Sequence, residues 1–204
     1  MADEDRGTEQ RIKDAAKELF QKKGFAATKT REIAEVADTN LALVNYYFRT
    51  KKQLFDTIML ETLHNLLSGA ITILTNEETT FEEKITAFVD HYMNLFSANQ
   101  NLPTFIMNTV RENPKEYLNN FRLVDKIQDS SFTRQFQQKM KDRNTTQINP
   151  INFIINLIGL TVFPFLTQPI VCETANIDKD SYYQMIEERR RLIPLWIEGM
   201  LIVQ

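Results

Sequence analysis

Apolar residues recur along this chain at helical spacing, with no convincing strand alternation. Ile12, Ala15, Ala16, Leu19 and Phe20 form the i, i+3, i+4, i+7, i+8 stripe of a core-facing helix. Thr8 is placed to cap it, and it would run to about Lys23. Gly24 would end it in a left-handed cap, with Phe25 packing back on the stripe. Ile33, Ala34 and Ala37 then share one face of a short helix, and Asp38-Thr39-Asn40 interrupts the pattern with residues that tolerate turn geometry. Asn40 is a good cap for a helix over about Leu41 to Phe48, which turns Val44 and Phe48 inward. Its other side carries Asn45, Tyr46 and Tyr47: hydrogen-bonding and aromatic groups without charge. Thr50-Lys51-Lys52-Gln53 reads as a capping box. It opens a long helix, about Lys51 to Leu74, with Leu54, Phe55, Ile58, Leu63, Leu66, Leu67, Ile71 and Leu74 at helical spacing.

Beyond a polar break at Asn76–Thr80, a second capping box, Thr80-Phe81-Glu82-Glu83, opens a helix through Ile85, Phe88, Val89, Tyr92, Met93 and Phe96. A shorter helix, about Pro103 to Glu112, stops at Asn113-Pro114, because the residue before proline avoids the helical region. One longer helix is predicted from Pro114 to Lys141, with Tyr117, Phe121, Val124, Ile127, Phe132 and Phe136 as core candidates. The run DRNTTQINP at 142–150 is a loop. The stretch from Asn144 to Cys172 has no charged residue and approaches the length of a bilayer span. Asn152, Asn156 and Gln168 would lack partners in lipid, Pro150, Pro164 and Pro169 divide the stretch, and neither flank carries a basic cluster or aromatic belt. The expectation is therefore a buried or interfacial helix and no membrane partner. The last helix, about Asp178 to Val203, starts highly charged, turns apolar through Leu192, Ile193, Leu195, Trp196, Met200, Leu201 and Ile202, and would kink at Pro194. The fold class is all-α.

Two helices across a tight turn, the second with a polar outer face and lysines beside it, make a helix-turn-helix pattern. Its second helix would enter the major groove of DNA. Cations are disfavoured at a helix N-terminus, so Lys51 and Lys52 need another reason to be there, and a phosphate backbone supplies one. Asn45 and Tyr46 are placed to read base edges, and Leu41 and Ala42 to touch thymine methyls, with Asn40 at the head of the same helix. Ile12, Ala15, Ala16, Leu19, Phe20, Gly24, Phe25, Thr28, Ile33, Ala34, Ala37, Tyr47, Phe48, Lys51 and Leu54 together resemble the N-terminal signature of the TetR family of bacterial transcriptional regulators, over roughly residues 8 to 55. Two departures stand out: Asp38 where the family usually has the turn glycine, and Asn45 where an aromatic residue is common. The resemblance implies that Thr28, Thr30, Tyr47 and Lys51 hold phosphates. Thr28 as a plain helix cap and Tyr47 as half core are the alternatives. It also implies a DNA-binding domain at 1–50, a ligand-binding and dimerisation domain at 51–204, and a homodimer formed by the last two helices, as their apolar faces suggest independently.

Composition sharpens this reading. The net charge of −3 argues superficially against nucleic acid, yet residues 6 to 55 hold eleven Lys/Arg against six acids. A basic head on an acidic body orients the molecule towards phosphate. The single cysteine, Cys172, excludes an internal disulfide and suits a reducing, cytoplasmic compartment; it reads as a core thiol more readily than as a redox sensor. The acidic, polar start is not a secretory signal. His64 and His91 stand apart from any ligand-spaced partner, so no metal or cofactor is expected. There is no Gly-rich phosphate loop and no nucleophile beside a plausible base, so no catalytic residue is assigned. A cavity in the Phe- and Met-rich body would be largely apolar. His91, Tyr92, Phe96, Phe105, Asn108, Arg111, Phe121, Phe153 and Asn156 are candidates to line it, with simple packing as the alternative for each. The function expected is a dimeric repressor binding a palindromic operator and released by a small, largely apolar effector, the long fourth helix coupling head to body. The competing reading is a helical lipid-binding protein or enzyme whose helix-turn-helix is incidental.

Overall fold

The computed structural model describes residues 2–121, 123–142 and 148–201. Among them the chain is helical, with no strand: α1 (Ala2–Ala27), α2 (Thr30–Val36), α3 (Leu41–Phe48), α4 (Lys51–Thr75), α5 (Phe81–Ala98), α6 (Leu102–Glu112), α7 (Pro114–Leu118), α8 (Leu123–Gln128), α9 (Ser131–Asp142), α10 (Pro150–Ala175) and α11 (Lys179–Met200). The expected core roles of Val124 and Ile202, and the centre of the loop at 143–147, lie outside the described residues. Packing divides the chain into two compact units, Met1–Leu66 with Thr104–Asn120, and Leu67–Pro103 with Phe121–Gln204.

In the first unit, α1, α2 and α3 pack on one another around Ile12, Ala16, Leu19, Phe20, Ile33, Ala34, Ala37, Val44 and Phe48, all buried. Thr8 does not cap α1, because the helix begins six residues earlier; its hydroxyl accepts from Arg11 Nη2 at 3.2 Å instead. Gly7 fails to stop the helix, since an internal glycine costs only about 1 kcal/mol. Gly24 does break it, at φ 80° and ψ 167°, a conformation open to a residue without Cβ. Beyond it Phe25 meets Phe20 at 6.0 Å and Phe55 at 4.9 Å. Phe105 of α6 extends this aromatic cluster through Phe55, at 5.8 Å, and the Tyr117 hydroxyl of α7 donates to Asp56 at 3.0 Å.

In the second unit, α5 packs on α9, α10 and α11. The capping box at its start is complete: Thr80 Oγ1 accepts from the Glu83 N–H, and Glu83 returns a carboxylate oxygen to the Thr80 N–H at 2.7 Å. Ile85, Phe88, Val89, Tyr92, Met93 and Phe96 are buried as their spacing requires. Phe81, Phe132, Phe136 and Phe153 form a second cluster, with Phe136 and Phe153 at 4.7 Å.

Two further expectations are corrected. The single helix over 114–141 is broken into α7, a 3-10 turn at Asn119–Phe121, α8 and α9. At the last break Ser130 Oγ donates to the Ile127 carbonyl at 2.6 Å and accepts from the Thr133 N–H, offering the backbone an alternative to the helix ladder. Pro164 and Pro169 do not divide α10, which runs through both. Pro164 cannot donate to the carbonyl of Leu160, and Arg189 of α11 takes that carbonyl at 3.0 Å. As expected of the last helix, α11 carries Pro194 within its length, and Asp178 caps it from outside by accepting from the Ser181 N–H at 2.8 Å. Both α4 and α10 are long and apolar enough to cross a membrane by length and composition, a test that core helices also pass.

Candidate nucleic-acid interface

The turn between α2 and α3 is built without glycine. Asp38 takes φ 48°, which aspartate tolerates better than most residues, and the Thr39 N–H closes on the Ala34 carbonyl at 2.9 Å. Asn40 Oδ1 accepts from the Leu43 N–H at 2.9 Å, starting α3 where the sequence places it. Val44 and Phe48 are buried and pin α3 to the trihelical core. Ala42, Asn45 and Tyr46 are exposed, Tyr46 at 74% of its surface, while Leu41 and Tyr47 are half-buried. Tyr46 and Tyr47 meet edge to face at 5.3 Å. The outer side of α3 thus presents one amide, two phenols and small apolar groups, which can hydrogen-bond to base edges and contact methyls. Thr30, the first residue of α2, is half-buried.

Two residues expected at phosphates also make hydrogen bonds within the unit. Thr28 is 1% exposed, and its hydroxyl donates to the carbonyls of Gly24 at 2.8 Å and Leu19 at 3.3 Å, so its side chain faces the end of α1 and not solvent. Lys51 Nζ donates to the carbonyls of Phe25 and Thr28, both at 2.8 Å, and sits 4.3 Å from the centre of the Phe25 ring. This ties the frayed end of α1 to the start of α4 and explains a lysine at a helix N-terminus without DNA. Lys52 is bound to Asp56 at 2.5 Å and Glu116 at 3.1 Å, and the hydrogen bond to Asp56 chiefly raises its pKa above the ordinary lysine value. Of the box at Thr50, only one half forms: Thr50 Oγ1 accepts from the Gln53 N–H at 3.1 Å, while the Thr50 N–H turns back to Phe48. Lys13 pairs with Glu61 and Lys23 with Glu32. Among the described residues Lys22, Arg31 and Arg49 are exposed and form no ion pair.

The residues nominated for an effector pocket are divided between the two units. Phe105, Asn108 and Arg111 belong to the first unit and the others to the second. Phe153 is packed in the Phe81–Phe132–Phe136 cluster, and Asn156 is exposed, its amide 3.7 Å from Met200 Sδ. Tyr92 and Phe96 are buried in the core of α5, and burial pushes the Tyr92 hydroxyl up to about 12. His91 is half-buried against Gly69, Arg111 is exposed and Phe121 half-buried. Phe105 and Asn108 do line a common cleft of about 680 Å³ within the first unit, together with Phe20, Phe25, Phe55 and Tyr117.

The sequence profile of bacterial regulatory proteins of the tetR family matches residues 12–58, the segment from α1 into α4. The chain is 25% identical over 199 residues to the "Probable HTH-type transcriptional regulator YttP" of Bacillus subtilis (strain 168), covering 95% of this chain and 93% of that protein. In structure it resembles a TetR family transcription regulator from Marinobacter aquaeolei VT8, with TM-score 0.65, 14% identity and coverage of 95% and 97% of the two chains. A bacterial regulatory protein in the tetR family from Rhodococcus RHA1 gives TM-score 0.64, 21% identity and coverage of 91% and 96%. At these identities the structural likeness speaks for the fold, and the helix-turn-helix match speaks for what the first unit binds. Residues 12–58 thus carry the DNA-binding helix-turn-helix of the tetR family of bacterial regulatory proteins, and the chain reads as a transcriptional regulator and not as an enzyme.

Proposed function

We propose that the protein is a dimeric, cytoplasmic repressor that grips a palindromic operator and is released by a small, largely apolar effector. The observation that carries the operator reading is the division of α3 into a buried face, Val44 and Phe48, and an exposed uncharged face. In this reading Asn45 and Tyr46 contact base edges, Leu41 and Ala42 lie against thymine methyls, and Thr30 and Tyr47 face the backbone. Residues 1–50 serve DNA binding, and residues 51–204 serve effector binding and dimerisation.

The dimer reading is supported by apolar side chains left uncovered on the last two helices: Ile151, Ile155, Ile158 and Phe163 on α10, and Leu195 and Trp196 on α11. A face of this kind is suited to an isologous pairing with its own copy. The cleft lined by Phe105 and Asn108 is of the size that takes a small ligand. Release follows if the effector favours a conformation in which the two heads no longer match the half-site spacing.

The test is a gel shift with DNA from upstream of the protein's own gene, alongside sedimentation of the free protein. A discrete complex of two subunits per duplex, weakening steeply with salt, is the expected result. A monomer in solution that forms only diffuse, sequence-indifferent complexes would refute the operator and dimer readings together.

A further inference from the structure

The cleft of about 680 Å³ in the first unit is bounded by the end of α1, the start of α4, and α6 with the turn into α7. Its volume falls in the range of small-molecule sites. The break at Gly24 makes room for it. Past that break α1 lines the cleft with Ala26 and Ala27, both exposed, and a Cβ added at Gly24 would meet nothing within 4 Å. The larger apolar side chains inside are aromatic. Phe55 and Phe105 are buried and meet edge to face at 5.8 Å, and the half-buried Phe25 meets Phe55 at 4.9 Å. Rings set at steep angles suit a further flat ring, which can stack on one and meet the next by its edge.

The second observation is electrostatic. Lys23 is paired with Glu32, and Lys52 with Asp56 and Glu116. Lys22 and Glu112, both exposed and both lining the cleft, are of opposite sign. An ionised ligand would therefore break an ion pair or enter without a counter-charge, at a cost. The uncharged polar groups are differently placed. Thr104 and Asn108, four apart on α6, are exposed at the cleft, and Asn113 heads α7 without capping it through its side chain. One hydroxyl and two amides there offer both donors and acceptors.

We propose that this cleft is a ligand site of the first unit and takes a small, uncharged, flat aromatic compound bearing an amide or hydroxyl. Its ring lies against Phe25, Phe55 and Phe105, and its polar edge meets Asn108 and Asn113. Binding stands on the cleft alone, whereas an effector role for it rests on the reading of the protein as a ligand-released repressor. Phe25 also meets Phe20 of the trihelical core, at 6.0 Å, so an occupant bears on the head from within the same unit.

Cinnamamide, cinnamate and decanoate would be titrated calorimetrically into the full chain as wild type, Asn108→Ala and Ala26→Trp, each also melted thermally without ligand. Backbone amide NMR shifts locate the bound probe. Cinnamamide should bind about tenfold tighter than cinnamate, which carries the same ring with an unmatched charge, and tighter than decanoate. Asn108→Ala should weaken cinnamamide about fivefold, for the loss of one hydrogen bond. Ala26→Trp, at an exposed position, should plug the cleft and abolish binding, and neither variant should melt lower than wild type. The shifts should gather at 24–27 and 104–113. The site is overturned if cinnamamide does not bind, if both variants keep the wild-type affinity, or if the shifts fall in the second unit. Tighter binding of cinnamate or decanoate overturns the ligand class. A gel shift with cinnamamide present tests the effector role separately: a probe that fills the cleft and leaves the DNA complex intact upholds the site and refutes release from it.

Discussion

Replacing Gly69 by alanine sets two effects of known size against each other inside the second unit. A Cβ built at Gly69 of α4 falls 2.9 Å from His91 Cε1 and 3.1 Å from Cδ2 on α5, and closer still to Nε2. His91 Nε2 is buried without a hydrogen-bond partner, and the ring meets Tyr92 edge-on at 5.0 Å. Alanine in a helix interior is worth about 0.8–1 kcal/mol over glycine. Forcing the imidazole aside is an overpacking change of about 1–3 kcal/mol, so Gly69→Ala alone should destabilise by about 1 kcal/mol. With His91→Ala the obstruction is gone, and the same substitution should now stabilise by about 1 kcal/mol. The expected coupling is thus about 2 kcal/mol, above the roughly 0.5 kcal/mol seen between independent sites. Urea unfolding of the four chains measures it, followed by the fluorescence of the single tryptophan, Trp196, which lies in the same unit. If Gly69→Ala shifts the transition in the same direction and by the same amount with and without His91, the steric reasoning is wrong.

Other expectations follow from burial and capping. Phe48→Ala empties a buried site behind the recognition helix and should cost about 3–5 kcal/mol, read as a lowered melting temperature with parallel loss of DNA binding. Asn45→Ala touches no core residue, so the melt should stay put while discrimination at one base pair falls by about 1–3 kcal/mol, seen in competition with singly substituted duplexes. Leu195→Asp, at a position 62% exposed, should leave the folded helix content intact and yield monomers in sedimentation; a persistent dimer would place the interface elsewhere. Glu83 and Asp178 both have carboxyl pKa values lowered, chiefly by backbone N–H donors at Thr80 and Ser181. Their contribution is therefore present above the ordinary carboxylate value and is lost as pH falls through the lowered folded-state value. Asp178→Asn keeps a capping oxygen without the charge, and its acid-unfolding limb should be shallower than wild type.

The head was legible because its determinants are local. Asn40 caps three residues ahead, Val44 and Phe48 are one turn apart, and α3 occupies the predicted range, Leu41 to Phe48. What escaped the sequence was set by contacts at long range. Lys51 reaches a carbonyl 26 residues back, and Arg189 reaches the carbonyl that Pro164 abandons 29 residues before it. A period of 3.6 residues contains neither fact, so the internal role of Lys51 went unseen and Pro164 read as a helix breaker. The long helix over 114–141 failed for a related reason: its apolar spacing is helical, but Ser130 and Thr133 satisfy the backbone locally and end the ladder.

Lys51 and Thr28 together change what can be asked of this head. Both are expected at phosphates, and in the free protein both close the break at Gly24, through the carbonyls of Leu19, Gly24, Phe25 and Thr28. The glycine frees backbone carbonyls by ending the helix, and a buried hydroxyl and an ammonium supply the missing donors. The trihelical fold thus gives both signature residues a structural role of their own, so substituting them would change stability together with any DNA contact. Asn45 and Tyr46 are exposed on α3 and lie outside that arrangement, so affinity should be tunable there with the stability of the head held nearly constant.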